Sequence, residues 1–423
     1  MKKINTQKQN STPPVVWYLH HYAGSPSMGM SFRPYYLCRE FNKNNYRAYI
    51  ISASFHHLQQ IPIQQNQAIN HQIVDDQPYV FLKTPPYKGN GYKRFLNMFT
   101  YAWKIWRYRD QLIKITGAPS TIIVSSAHPF HYLSARQIAK KHNAKLIFEV
   151  RDLWPLSLIE LANVPRYHPV ISFIKWIEKS FYKKANYVVS LLPYALPYMV
   201  KNGLSPERFF HIPNGVSKST LDDKIDLPEA YERLIAQKRK QGFFLFGYAG
   251  AHGEPNALED LINALVILKN ENYCQIHFFL IGSGNEKEKL NLLTKTHELL
   301  SITFLDALSK NQILPFLEQM DACYLGWKNR SIYKYGVSPN KIFDYMLGGK
   351  PILHASVGLN DIVLETQSGC VVTAGNPAHI ANGIKEMAYL SKEELKSMGA
   401  RGREAVLSNF SYADLARRYM TLF

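Results

Sequence analysis

The chain has 423 residues, enough for two domains of roughly 200 each, and at 46% hydrophobic it can fill two cores. No run of about 20 apolar residues could cross a bilayer as a helix, and Cys38, Cys274, Cys323 and Cys370 form no CxxC pair, which removes a thiolate zinc site and a disulfide framework from consideration. The net charge of +18 lies wholly in one half: residues 1–215 hold 27 Lys and Arg against 9 Asp and Glu, and residues 216–423 hold 23 against 23. One half therefore faces an anionic partner, which by charge alone is nucleic acid, anionic lipid or a phosphorylated acceptor.

Met1 to Pro14 is polar and lacks the apolar stretch of a signal peptide, so a cytoplasmic protein is expected. Val15 to His20 reads as a short buried strand, Ala23 to Met30 as a Gly-bearing loop containing Gly29, and Pro34 to Phe41 as a helix. Strand, loop and helix in that order open a doubly wound α/β domain. Arg47 to Ser52 is the second strand. His56 to Gln77 is rich in Gln, Asn and His and reads as a mobile loop.

Lys83 to Lys114 holds eight Lys or Arg, one acid (Asp110) and eight aromatics. Phe95, Phe99, Ala102/Trp103 and Trp106 follow helical spacing, with Lys93, Arg94, Lys104 and Arg107 on the other side. A basic face with Trp and Tyr fits an interfacial helix on an anionic membrane. It fits equally a core helix with its aromatics inside, or a stacking surface for single-stranded nucleic acid, although no RNP, KH or helix-turn-helix signature accompanies it.

Ser120 to Ser126 is a strand with His128-Pro129 beyond its carboxyl end, where ligands sit in open α/β sheets. His128 there can donate to a sugar or acceptor hydroxyl, or be a plain turn histidine. Lys145 to Val150 is a strand ending in Arg151-Asp-Leu-Trp-Pro155. Arg151 and Asp152 can take an acceptor's phosphate and hydroxyl, or pair with each other. Pro169 to Lys184 is an amphipathic helix and Tyr187 to Leu191 a strand. Phe210 to Val216 closes the first domain. The expected organisation is 1–215 as a basic first domain, 216–242 as linker, 243–408 as a second Rossmann-like domain, and 409–423 as a final helix.

The second domain opens with Phe243 to Gly250, followed by the loop holding His252. Gly282 begins another Gly-rich turn, and Ile302 to Asp306 is a strand. Ala322 to Gly326 leads into a loop with Arg330 and Lys334. Next comes Gly336-Val-Ser-Pro-Asn-Lys-Ile-Phe-Asp-Tyr-Met-Leu-Gly-Gly-Lys-Pro351. Pro339 suits a first helical turn, Ile342 to Leu347 continue at helical spacing, and Gly348-Gly349 end the helix. Ser338, the Asn340 and Lys341 N–H groups and the Lys341 ammonium gather at that helix start, where an anion is best held. Asp344 lies one turn on, able to accept from a ribose diol. An ordinary capped helix would use the same residues.

This stretch resembles the donor motif of family-four retaining glycosyltransferases, whose GT-B fold sets two Rossmann-like domains across a cleft and returns the C-terminal helix to the first. In the common motif two glutamates stand eight positions apart. Here the second position is Asp344 and the first is Gly336, a departure. The SPNK wording, with "RDLWP", is similar to the L-N-acetylfucosamine transferase branch of bacterial O-antigen and capsule assembly, and "IPNGV" resembles the interdomain crossover of the family. The resemblance implies that Gly29, Gly250, His252, Gly282, Arg330, Ser338, Pro339, Asn340 and Lys341 line the donor phosphates, with Asp306 beside the base and Asp344 on the ribose.

It also implies that His128, Lys341 and Asp152 carry the chemistry, with Arg151, Lys93, Arg94, Trp103, Trp106 and Arg107 facing acceptor and membrane. The expected donor is a nucleotide-sugar, with UDP the expected nucleotide; the acceptor is lipid-linked or a saccharide. No cofactor and no metal are expected, there being no DxD motif, and no nucleic-acid partner. The expected location is the inner face of the cell membrane. A GT-B-type UDP-sugar 2-epimerase and a non-catalytic nucleic-acid-binding protein are the competing readings.

Overall fold

The computed structural model describes residues 12–29, 31–59, 63–89, 91–358 and 361–423. Residues 1–11 of the polar N-terminus and Met30 of the first loop lie outside it. Two sheets form. The first has β1 (Val15–Leu19), β2 (Arg47–Ala53), β3 (Ile69–Val74), β4 (Gln77–Leu82), β5 (Thr121–Ser125), β6 (Lys145–Val150), β7 (Tyr187–Ser190) and β8 (Phe209–His211) in the order β3-β4-β2-β1-β5-β6-β7-β8. The second has β9 (Phe244–Ala249), β10 (Ile276–Ile281), β11 (Ile302–Leu305), β12 (Ala322–Gly326), β13 (Ile352–Ser356) and β14 (Gly369–Thr373) in the order β11-β10-β9-β12-β13-β14.

All strand pairs are parallel except β3 with β4. Parallel strands carry helices on both faces, and the central ones here are buried end to end. Strand order reverses between β1 and β5 in one sheet and between β9 and β12 in the other. Ligands enter doubly wound sheets beyond the carboxyl ends at such points.

Five helices matter below: α1 (Arg33–Lys43), α2 (Tyr92–Arg107), α3 (Pro169–Lys184), α4 (Asn340–Leu347) and α5 (Tyr412–Met420). The chain leaves the first sheet through Gly215-Val216 and returns at Phe410–Tyr412. There Val216 N–H donates to Phe410 O and Tyr412 N–H to Val216 O, each at 2.9 Å. Helix α5 lies on α1, with Tyr412 stacked on Tyr36 at 4.8 Å between centroids.

A buried ion pair locks this crossing. Arg33 Nε donates to Glu149 Oε2 at 2.8 Å with both side chains sealed from water. Tyr18, Ser125 and Tyr419 also donate to that carboxylate, and Arg33 reaches the Ile212 carbonyl at 2.8 Å. Burial alone would push the Glu149 carboxyl up. Arg33, Arg151 and the hydrogen bonds reverse this and hold it near 2.

Three expectations change. The stretch 56–77 is not simply a loop, because it contains edge strand β3. Its polar composition suits an edge with one wet face, and the Asp75-Asp76 turn, both residues at positive φ, closes the hairpin. In α2 the buried face is Asn97, Met98, Tyr101, Ala102 and Ile105, so Phe99, Trp103 and Trp106 are left 45%, 52% and 42% exposed. Residues 216–242 do more than link: Val216, Leu227 and Ile235 belong to the second domain's core, and a helix spans Glu229–Lys240.

Candidate functional site: a nucleotide cradle facing a histidine-lined wall

At the β9–β12 reversal the backbone is stripped of side chains. Gly250 ends β9, and a Cβ there would run into the Lys341 side chain; one at Gly282 would strike the Gly250 carbonyl. Lys341, on the first turn of α4, fills the space so released. Its ammonium donates to Tyr248 Oη at 2.7 Å and to Asn256 Oδ1, and lies 4.6 Å from the Tyr248 ring centroid. Burial brings its pKa down to about 7, so an arriving anion would restore its charge. Pro339 is the N-cap of α4, one position earlier than expected, and Asn340 begins the helix. Lys341 lies in the first turn of this helix, whose leading N–H groups have no intrahelical partner, and a helix start of that kind suits an anion.

The surrounding candidates fall into place around this spot. Ser338 Oγ accepts from Asn214 N–H at 2.9 Å and its carbonyl from Asn214 Nδ2 at 2.6 Å, which ties the IPNGV crossover to the start of α4. Asp344 pairs with Lys310 at 2.6 Å beside Phe32, Thr220 and Tyr412. Asp306 is exposed and bound to Lys287 at 2.8 Å. Arg330 sits 3.8 Å from Glu254. His252 is wholly buried, and burial followed by Lys287 and Lys341 brings it down to about 4. Burial thus favours the neutral form of His252.

The first-domain wall opposite is filled. His20 and His21 follow β1, and His128 and His131 follow β5; all four are buried. His21 Nδ1 lies 2.6 Å from His128 Nε2, a contact that needs one donor and one acceptor and suits two neutral rings. Burial, then the neighbouring histidines His131 and His21, lowers the His128 pKa. The expectation that His128 orients a sugar meets a ring with no exposed surface. Arg151 Nη1 lies 2.9 Å from His20 Nε2 and donates to Ser31 Oγ at 3.0 Å. Arg151 is thus turned toward β1 rather than into a simple pair with Asp152, which is exposed. Lys93, Arg94, Trp103, Trp106 and Arg107 lie along α2, where Arg94 donates to Tyr22 Oη at 3.4 Å beside His21.

Gly336 has a structural reason. Its φ is +88°, and an added Cβ would stand 2.6 Å from the Pro193 ring. The donor loop is pressed onto the first domain here, with Tyr194 N–H donating to Tyr335 O at 3.1 Å. A glutamate does not fit that backbone. Behind the loop, on the Ile342–Phe343 side of α4, lies a cavity of about 350 Å³ lined by Pro193, Tyr194, Ser338, Phe343 and Asp361. Neither Lys341 nor Gly250 lines it, whereas Lys334 and Ser338 do.

Sequence reasoning does not reach Tyr248, Asn256 and Lys310, which hold Lys341 and Asp344. Lys310 carries a signal, since the Ser309–Gln312 capping box marks a helix start beside the Asp306 loop. Tyr248 and Asn256 carry none, lying 93 and 85 residues from their partner.

Comparison with known proteins bears on the family and the fold. The family model "Glycosyltransferase Family 4" matches residues 28–219, and "Glycosyl transferases group 1" matches residues 244–389. The chain is a glycosyltransferase of the GT-B type. No curated protein matches it in sequence. Among solved structures it is similar to a sucrose-phosphate synthase from Thermosynechococcus elongatus (14% identity, 97% of this chain and 98% of that one, TM-score 0.73). It is also similar to Anabaena HepE in complex with UDP and glucose (12%, 96% and 98%, 0.65). A third is WaaG, a glycosyltransferase involved in lipopolysaccharide biosynthesis (11%, 96% and 99%, 0.64). At these identities the likeness shows the fold of this glycosyltransferase: two Rossmann-like sheets set face to face.

Proposed function

We propose that this glycosyltransferase moves a sugar from a UDP-sugar to a lipid-linked or saccharide acceptor in bacterial surface polysaccharide synthesis, with retention of configuration and without a metal. The observation that carries the donor half is Lys341 beneath Gly250 at the open start of α4. Preorganised N–H groups and a recoverable cation there would stabilise the charge that develops on the leaving diphosphate, which is commonly the largest catalytic term. Asp344, one turn on, receives the ribose. HepE, a fold relative, is described in complex with UDP and glucose, which supports a UDP donor.

The acceptor half rests on charge. The first domain holds the whole +18 excess, and α2 presents Lys93, Arg107, Trp103 and Trp106 outward. Each basic side chain near an anionic leaflet contributes about 1 kcal/mol. Among the described residues no helix is long and apolar enough to cross a membrane, so contact of this kind would be peripheral, on the inner face where a lipid-linked acceptor is presented. The SPNK and RDLWP phrases favour an L-N-acetylfucosamine donor.

Calorimetry with UDP, GDP, ADP and CMP tests the donor half. UDP is expected to bind, and Asp344→Ala and Lys341→Ala to weaken it. Binding of GDP in preference would overturn the UDP assignment, and binding of none would overturn the cradle.

A further inference from the structure

Helix α3 carries large apolar side chains on both sides. Ile171, Ile174, Ile177 and Phe181 are buried toward the sheet. On the opposite side Val170, Phe173 and Trp176 recur every three residues and are 37%, 42% and 57% exposed. A row of large apolar side chains left in water marks an interaction surface.

The row continues beyond α3. Phe173 stacks with Phe130 at 6.3 Å between centroids, and Phe130 stacks on Phe99 of α2 at 4.3 Å. Trp103, one turn along α2 from Phe99, is also exposed. The two helices thus share one aromatic ridge. Its flanks are cationic: Lys175, Lys179, Lys183 and Lys184 are exposed on α3. The only acid in α3, Glu178, is buried and accepts from Tyr182 at 3.3 Å and Tyr198 at 3.1 Å.

We propose that α3 and α2 together form a two-helix platform that seats the first domain on an anionic bilayer, with Phe173 and Trp176 entering the interface beside Phe99 and Trp103. This deepens the membrane face proposed for α2 and rests on that reading; α3 supplies its second leg. Two helices fix the domain's tilt on the membrane surface, which one helix does not. Charge selects the occupant. Aromatic rings flanked by lysines match the headgroup boundary of anionic lipid. A second copy of the chain laid on the ridge about a two-fold axis would set lysine against lysine.

The test sediments the full chain with vesicles of phosphatidylcholine alone and of phosphatidylcholine with phosphatidylglycerol. Wild type, Phe173→Ser/Trp176→Ser, Phe99→Ser/Trp103→Ser and Lys175→Glu/Lys179→Glu are compared, with UDP binding measured on each. The wild type is expected to bind the anionic vesicles, each aromatic double variant about tenfold less, and the Lys175→Glu/Lys179→Glu protein to lose its salt-sensitive share. UDP affinity is expected to stay unchanged throughout. Vesicle binding by both α3 variants equal to wild type would overturn the proposal. So would a wild-type dimer in light scattering that Phe173→Ser/Trp176→Ser converts to monomer, since the ridge would then be a self-contact. The surface lysine variant keeps the test decisive should an aromatic variant unfold. Failure of wild type to bind UDP would strike the donor assignment and leave the vesicle result standing.

Discussion

The two strand-order reversals that face each other across the cleft are built in opposite ways. The first-domain edge is crowded, with His20, His21, His128, His131 and Arg151 packed against one another. The second-domain edge is opened by Gly250 and Gly282, and the Lys341 side chain enters it because glycine leaves room. A diphosphate needs close approach to backbone N–H groups, and glycine provides that. The crowded edge provides a rigid wall that holds its histidines neutral. One fold element, used twice, is left open only where side chains are removed.

That contrast can be broken by loosening the wall. Arg33 and Glu149 tie β6, the crossover and α5 behind it. Arg33→Met or Glu149→Ala leaves one charge buried without its partner and is expected to lower unfolding free energy by about 3–5 kcal/mol, read from the denaturant midpoint. Because the Glu149 carboxyl is held near 2, below its ordinary value of 4.5, its stabilisation is present above pH 4.5 and lost as pH falls toward 2. A wild type with no loss of stability in that window would contradict the pair's role.

Lys341→Met sharpens the contrast from the other side. Removing a charge-assisted contact to a diphosphate should weaken UDP binding by roughly 10- to 100-fold with the fold intact, read by calorimetry. A smaller, pH-dependent effect belongs to Glu178. Burial raises its carboxyl to about 8, so the folded protein holds a proton that the unfolded chain has released between pH 4.5 and 8. Stability should therefore decline across that window, and Glu178→Gln should flatten the slope of unfolding free energy against pH. The smallest change is expected from Asp344→Ala, about three- to tenfold in UDP affinity, since one ribose contact is lost while Lys310 is freed nearby.

Much of the second domain is legible in the sequence because its strands, glycines and capped helix follow local rules: period, turn chemistry and the stop at Gly348-Gly349. The start of α4 and Lys341 can be read from a single stretch. Legibility fails where partners are distant in the chain. The Arg33–Glu149 pair spans 116 residues, and nothing in either neighbourhood announces the other. It fails again where composition misleads: β3 is polar because it is an edge. The outer row of α3 is hidden because Val170, Phe173 and Trp176 alternate with an equally apolar inner face, so periodicity shows a helix without showing that both sides are apolar. In α2 the aromatic stripe is plain in the sequence but its orientation is not, because Met98, Tyr101 and Ile105 form a competing stripe that the core takes.

Lys341, with its pKa near 7, is only partly charged in the free cradle, and it is expected to take up a proton when the nucleotide diphosphate arrives. UDP titration calorimetry from about pH 6 to 8.5, in two buffers of different ionisation enthalpy, measures this directly. The predicted result is net proton uptake above about pH 7, affinity falling as pH rises further, and loss of both effects in Lys341→Met. Proton-silent binding of equal strength in wild type and Lys341→Met would contradict it.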